Sequence, residues 1–340
     1  MAGSPNVRHA QGVTVISGVG DFDADQTFGS GQAFRWVKGG DGRYHGIVGG
    51  KAVSMESRGG TVTIYGTAEG DYESVWRDYL DLGTDYGEIK RELSRGDPTM
   101  GEATRYGWGL RLLRQDAEEA LLSFILSSNN RIPMIMRSVE LLSAMLGDEA
   151  VGVPYGGMGE PVAAGAGGPT GEPMSGPTEA GPAGRRAAPD GDAPFGAYAA
   201  YTGRRAFPSA AAIAGAGAER LGECRAGFRC RYLAETAAML AGEGTDLRGL
   251  GRLGREGARE ALMRYPGVGA KVADCAMLYG GIRRDVFPTD VWVRRAVERL
   301  YLGREAKAGE IGRFADGRFG GLQGIAQLYL FNYARLVMGR

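Results

Sequence analysis

The sequence predicts an α+β protein, in which an N-terminal antiparallel β-sheet domain with its own helices packs on a larger all-α domain. Three observations predict it. Residues 12–16, 52–55 and 61–65 alternate apolar with polar side chains, the period of half-buried strands. From Tyr72 the spacing changes to three and four, with Trp76, Tyr79 and Leu80 followed by Ile89 and Leu93, the period of amphipathic helices. Helical patterning then runs to the C-terminus through residues 218–225, 232–241 and 322–337.

Taken in order, residues 1–11 read as a polar tail and residues 12–105 as the N-terminal α+β domain. In the step Arg58-Gly59-Gly60-Thr61 two glycines supply the positive φ of a tight hairpin turn. Residues 106–340 form the helical domain. Asp116 is placed to cap a helix whose apolar face carries Ala120, Leu121, Phe124 and Ile125. Of the 46 residues 151–196, 21 are Gly or Pro, too many to bury a core, so a flexible insertion is expected at about 151–205.

A chain of 340 residues has room for two domains. Its 40 basic and 40 acidic residues cancel, which argues against bulk attraction to nucleic acid but leaves room for a local basic face, since charges act over a Debye length of about 8 Å. No apolar run approaches the roughly 18 residues of a membrane span, so a soluble intracellular protein is expected, cytoplasmic and nucleoid-associated if prokaryotic. Cys224, Cys230 and Cys275 lack the number and spacing of a disulfide framework, a structural zinc site or a four-cysteine cluster. No metal or other cofactor is expected. Only five basic residues are lysine, Lys38, Lys51, Lys90, Lys271 and Lys307. A lysine in a chemically suggestive place therefore raises the question of why arginine, which cannot lose its proton, would not serve there.

Lys271 is in such a place. Residues 258–276 read as a helix, a Pro266-Gly-Val-Gly269 hairpin and a second helix, a helix-hairpin-helix. Gly267, Val268 and Gly269 bring backbone close to a phosphate, which the free N–H groups of the second helix attract. Lys271 falls in that helix's first turn, where the dipole disfavours a cation and favours the nucleophilic free amine. Nineteen residues on, Asp290 precedes a helical run as its N-cap. An ordinary helical hairpin, a surface lysine and a capping aspartate are the bland counterparts.

These residues, Tyr265-Pro-Gly-Val-Gly-Ala-Lys-Val-Ala-Asp-Cys275 and Val286-Phe-Pro-Thr-Asp-Val291, resemble the helix-hairpin-helix DNA glycosylases, most closely the eukaryotic-type 8-oxoguanine DNA glycosylase/AP lyases. Ser30-Gly-Gln-Ala-Phe-Arg-Trp36, Arg111-Leu-Leu-Arg-Gln-Asp116, Ser123-Phe-Ile-Leu-Ser-Ser-Asn-Asn130 and Ala326-Gln-Leu-Tyr-Leu-Phe331 match further motifs of that family in the same order.

The resemblance implies a helix-hairpin-helix glycosylase domain and an enzyme of base-excision repair that flips 8-oxoguanine out of duplex DNA, excises it through a Schiff base and cuts the strand by β-elimination. Lys271 would be the nucleophile and Asp290 the group that stabilises the cationic sugar. The carbonyl of Gly31 would accept the N7–H that 8-oxoguanine has and guanine lacks. Gln327 would bind the Watson–Crick edge, with Phe331 and Cys275 sandwiching the ring. Asn129 would fill the gap left by the flipped base, Phe228 would be the wedge and Arg229 a basic contact near the opposite strand. Trp292 stands where the family has a phosphate-contacting His, Met134 where it has an Arg that checks for cytosine, and Phe228 where Tyr is usual. His9 and His45 match no motif. The partner is double-stranded DNA containing 8-oxoguanine, a monomer suffices, and ring-opened guanine is a further expected substrate. The alternatives are a glycosylase of the same superfamily for another damaged base and a non-catalytic helix-hairpin-helix DNA-binding protein.

Overall fold

The computed structural model describes residues 5–152 and 205–338. The insertion expected at about 151–205 lies almost wholly outside the described residues. Six antiparallel strands form one sheet: β1 Asn6–Ala10, β2 Val13–Ser17, β3 Trp36–Lys38, β4 Tyr44–Val48, β5 Lys51–Arg58 and β6 Thr61–Tyr65, in the order β1-β2-β6-β5-β4-β3. The Gly59–Gly60 turn joins β5 to β6, with Arg58 opposite Thr61 and φ of +55° and +73° at the glycines.

Strand β1 corrects the tail expected over residues 1–11. Asn6 pairs with Ser17 and Ala10 with Val13. No residue of β1 is fully buried and only Val7 packs against the core, so backbone hydrogen bonds do most to hold it at the sheet edge.

Thirteen α-helices occur among the described residues. Before the insertion they are α1 Ala24–Phe28, α2 Arg77–Tyr79, α3 Tyr86–Ser94, α4 Pro98–Tyr106, α5 Ala117–Leu126 and α6 Ile132–Leu146. After it come α7 Ala210–Arg220, α8 Arg229–Glu243, α9 Arg255–Met263, α10 Ala270–Tyr279, α11 Val291–Val297, α12 Ala308–Phe319 and α13 Gln323–Val337. Asp116 caps α5 by accepting from the N–H groups of Glu118 and Glu119 at 3.0 and 2.9 Å.

Two apolar cores result. Ile16, Phe28, Trp36, Met55, Ile64, Trp76 and Leu80 fill the space under the sheet. The second core is helical, and it takes Tyr86, Ile89 and Leu93 of α3 and Met100 and Ala103 of α4. Those helices were grouped by sequence with the N-terminal domain, but their apolar faces are buried against the helical body. Extended residues 110–116 join the two cores. Arg111, buried, donates to the carbonyls of Gly20, Asp21 and Asp81.

Candidate active site

Helices α9 and α10 and the turn between them form the helix-hairpin-helix. Gly267 has φ +79°, and a Cβ there would lie 2.7 Å from Cβ of Tyr232, so glycine is required twice over. Val268 is buried, and its N–H donates to the Tyr265 carbonyl at 3.1 Å. Gly269 is the N-cap of α10, no side chain caps that helix, and nothing lies within 4 Å of where its Cβ would be. The first N–H groups of α10 therefore face open space with the positive end of the helix dipole. Inside the hairpin, Arg259 Nε bonds Asp274 Oδ1 at 2.8 Å and ties α9 to α10.

In the first turn of α10, Lys271 is partly buried. Its Nζ donates to Ser127 Oγ at 3.0 Å and lies 5.5 Å from the Phe124 ring centroid. Four residues along the same face, Cys275 is buried and its thiol is pushed up to about 11 by burial, with the Lys271 ammonium pulling the other way. Asp290 caps α11 by accepting from Val293 N–H at 2.8 Å. Burial raises its carboxyl above the ordinary value of 3.8, opposed by that hydrogen bond and by the charges of Lys271 and Arg335. Lys271, Cys275 and Asp290 thus share one electrostatic neighbourhood.

The opposite wall comes from α13 and from the loop after α1. Gln327 is 3% exposed and its Oε1 accepts from the Tyr279 hydroxyl at 3.2 Å. Phe331 follows on the same helix face. Gly31 has φ +87°, and a Cβ there would lie 2.5 Å from Ile132 Cδ1. The next residue clamps this loop to the helical body. Gln32 Nε2 donates to the carbonyls of Thr27 and Arg111, its Oε1 accepts from Leu113 N–H, and its own carbonyl accepts from Gln115 Nε2 at 2.8 Å.

At the rim, α5 ends and Asn129 projects outward with φ +50°, a left-handed conformation that Asn tolerates. Phe228 is 62% exposed and Tyr232 packs edge-on against it at 6.3 Å. Arg229, expected as a basic contact near the opposite strand, is buried. Its guanidinium donates to the carbonyls of Ser128, Asn129 and Ala226 and lies 4.4 Å from the Phe228 ring. A guanidinium removed from water has to satisfy its donors, and the carbonyls at the end of α5 do so. Trp292, half-buried, has Arg295 5.9 Å from its ring.

Residues 14–121 match the family described as 8-oxoguanine DNA glycosylase, N-terminal domain. The fold matches the solved structure of MBOgg1 in complex with a low affinity DNA ligand at a TM-score of 0.81, with 36% identity and 99% of each chain covered. The chain belongs to the 8-oxoguanine DNA glycosylase family. A second member is the Clostridium acetobutylicum 8-oxoguanine glycosylase/lyase, solved with double-stranded DNA containing cytosine opposite 8-oxoguanine. It is 33% identical, with a TM-score of 0.79 and 97% of both chains covered. The probable N-glycosylase/DNA lyase of Methanothermobacter thermautotrophicus is 41% identical over 115 residues, a match that spans 34% of this chain and only 36% of that protein's length.

In this 8-oxoguanine glycosylase family member, sequence reasoning missed three residues that hold candidate site residues in place. Ser127 holds Lys271, Tyr279 holds Gln327, and Arg335 Nη1 donates to the Ser30 carbonyl at 3.0 Å. Ser127 lies inside the motif of residues 123–130, and Tyr279 has the spacing of an ordinary buried residue of α10. Arg335 had one available signal, its place four residues beyond Phe331 on the same helix.

Proposed function

We propose that the chain is a bifunctional DNA glycosylase and AP lyase of base-excision repair, acting on 8-oxoguanine and ring-opened guanine in duplex DNA. The observation that carries this is the position of Lys271, with its amine 3.0 Å from Ser127 Oγ in the first turn of the hairpin's second helix and within the electrostatic reach of Asp290.

The backbone of Gly267, Val268 and Gly269 and the uncapped start of α10 grip a phosphate without reading sequence. Extruding the damaged nucleotide costs a few kcal/mol, which pocket contacts offset. Gly31 O accepts N7–H, Gln327 takes the Watson–Crick edge, and Phe331 and Cys275 flank the ring. Asn129 and Phe228 occupy the duplex where the base has left, and Trp292 lies beside the neighbouring backbone.

The neutral amine of Lys271 then bonds to C1′ as the N9–C1′ bond breaks, and the departing purine takes up a proton. The Asp290 carboxylate stabilises the positive charge that develops on the sugar. Opening of the sugar ring gives an imine between Nζ and C1′. Loss of a proton from C2′ with departure of the 3′ phosphate completes β-elimination and cuts the strand. An arginine at position 271 could form no imine. The two cores supply opposite walls of the site, Gly31 from the loop after α1 and the remaining groups from the helical body.

Borohydride reduction tests this directly. With a duplex containing 8-oxoguanine, the protein should form a covalent adduct, and Lys271→Gln should abolish the adduct while retaining duplex binding. Trapping by Lys271→Gln at the wild-type level would identify a different nucleophile. Binding without adduct by the wild-type chain would leave only a phosphate clamp.

A further inference from the structure

The stripe of α13 that presents Gln327 and Phe331 continues four residues further to Arg335. Its guanidinium lies 5.4 Å from the Phe331 ring centroid. Burial pulls its pKa down and the Asp290 carboxylate pulls it back up. Among the described residues its hydrogen bond goes to the carbonyl of Ser30, not to a carboxylate. A half-buried guanidinium without a bonded counter-ion is costly, so its placement calls for a reason other than stability.

The reason lies in three consecutive carbonyls. Ser30 O is taken by Arg335 Nη1 at 3.0 Å, and Gln32 O is taken by Gln115 Nε2 at 2.8 Å. Gly31 O, between them, has no hydrogen-bond partner among the described residues. A glycine with φ +87° has no side chain to fix its peptide planes. Its carbonyl points where the flanking peptides hold it. Ile132 Cδ1 blocks one side of the glycine, and a Cβ on Gly31 would fall 3.4 Å from Arg335 Nη1 on another.

We propose that Arg335 is a positioning residue for base discrimination, which fixes the free Gly31 carbonyl by holding the peptide before it. This deepens the function proposed above and rests on it. A carbonyl held rigidly gains a hydrogen bond from a base with hydrogen on N7, and it opposes a lone pair on N7 in a base without one. A carbonyl free to turn aside does neither.

The experiment compares wild type, Arg335→Leu and Arg335→Lys under single turnover on duplexes carrying 8-oxoguanine or 8-methoxyguanine, which keeps an oxygen at C8 but has no hydrogen on N7. Borohydride trapping on an abasic-site duplex is measured in parallel. Arg335→Leu should lower 8-oxoguanine excision about tenfold relative to abasic-site trapping, the effect of one lost charge-assisted hydrogen bond, and should narrow the preference over 8-methoxyguanine. Arg335→Lys, which keeps one donor, should regain part of both. If Arg335→Leu keeps the wild-type preference, or loses excision and trapping in equal proportion, the proposal is overturned while the glycosylase function stands. If the wild-type chain excises no 8-oxoguanine, the function itself has failed and the proposal fails with it.

Discussion

Tyr279, on the second helix of the hairpin, donates its hydroxyl to Gln327 Oε1 on the C-terminal helix at 3.2 Å. Burial holds the phenol far above its ordinary pKa, so it stays a donor. Its ring stacks on Phe124 at 5.2 Å and 15°, and Lys271 Nζ lies 5.5 Å from that same Phe124 ring. One continuous set of contacts links the amine to the amide that would read the base.

Tyr279→Phe keeps the stacking and removes only the hydroxyl. The Gln327 amide then loses the partner that sets its orientation. Excision of 8-oxoguanine should fall about tenfold, the usual effect of one buried hydrogen bond, and mostly through weaker binding of the base. Single-turnover rates across a range of protein concentrations separate binding from chemistry. A wild-type profile would show that Gln327 needs no such partner.

Asp290→Asn preserves the oxygen that caps α11 and removes the charge. Base release should slow by about 10²-fold or more if that charge stabilises the sugar cation. The groups that face the carboxyl are Lys271, Arg335 and the N–H groups of Val293 and Trp292, with Cys275 and Tyr279 near enough to feel its charge. Burial raises the carboxyl above 3.8, and the active form is the carboxylate. The wild-type rate should therefore drop as pH falls through a value above 3.8, and the Asn variant should lack that acid limb. A pH–rate series under single turnover decides it.

A second carboxyl offers a test of stability. Glu119 lines a small cavity with Arg35, Trp36, Tyr79 and Gln115, and Arg35 Nη1, also buried, has no hydrogen-bond partner among the described residues. Burial pushes Glu119 up to about 7 from its ordinary 4.5, with Arg35 opposing. Between these values the folded chain holds a proton that the unfolded chain has released, so stability falls as pH rises through that window and levels off above it. Glu119→Gln should flatten this loss and exceed wild type in denaturant midpoint near pH 8 but not near pH 4, as linkage requires. Parallel pH dependences for the two proteins would place the proton elsewhere.

Phe228→Ala removes the most exposed aromatic ring at the rim. Loss of one stacking contact, about 1–3 kcal/mol, predicts duplex binding weaker by roughly ten- to a hundredfold. Fluorescence anisotropy with an abasic-analogue duplex measures this. An unchanged affinity would remove Phe228 from the interface.

What could be read in the sequence was local. The Gly59–Gly60 turn and the caps at Asp116 and Asp290 each follow from a conformation or hydrogen bond satisfied within a few residues. Strand β1 escaped because none of its side chains is fully buried, leaving no apolar alternation to detect. Helices α3 and α4 were visible as helices, but which core receives their apolar faces depends on contacts far along the chain. The same distance hid the pocket's supports. Ser127 meets Lys271 across 144 positions and Arg335 meets Ser30 across 305, and no periodicity reports such a meeting. Arg229 was recognised by residue type, yet only its surroundings reveal that its donors are spent inward.

That inward turn of Arg229 has a mechanical outcome. The guanidinium rests against the ring of Phe228 and donates to the main-chain carbonyl of Asn129, so one planar cation braces both rim positions from the protein side.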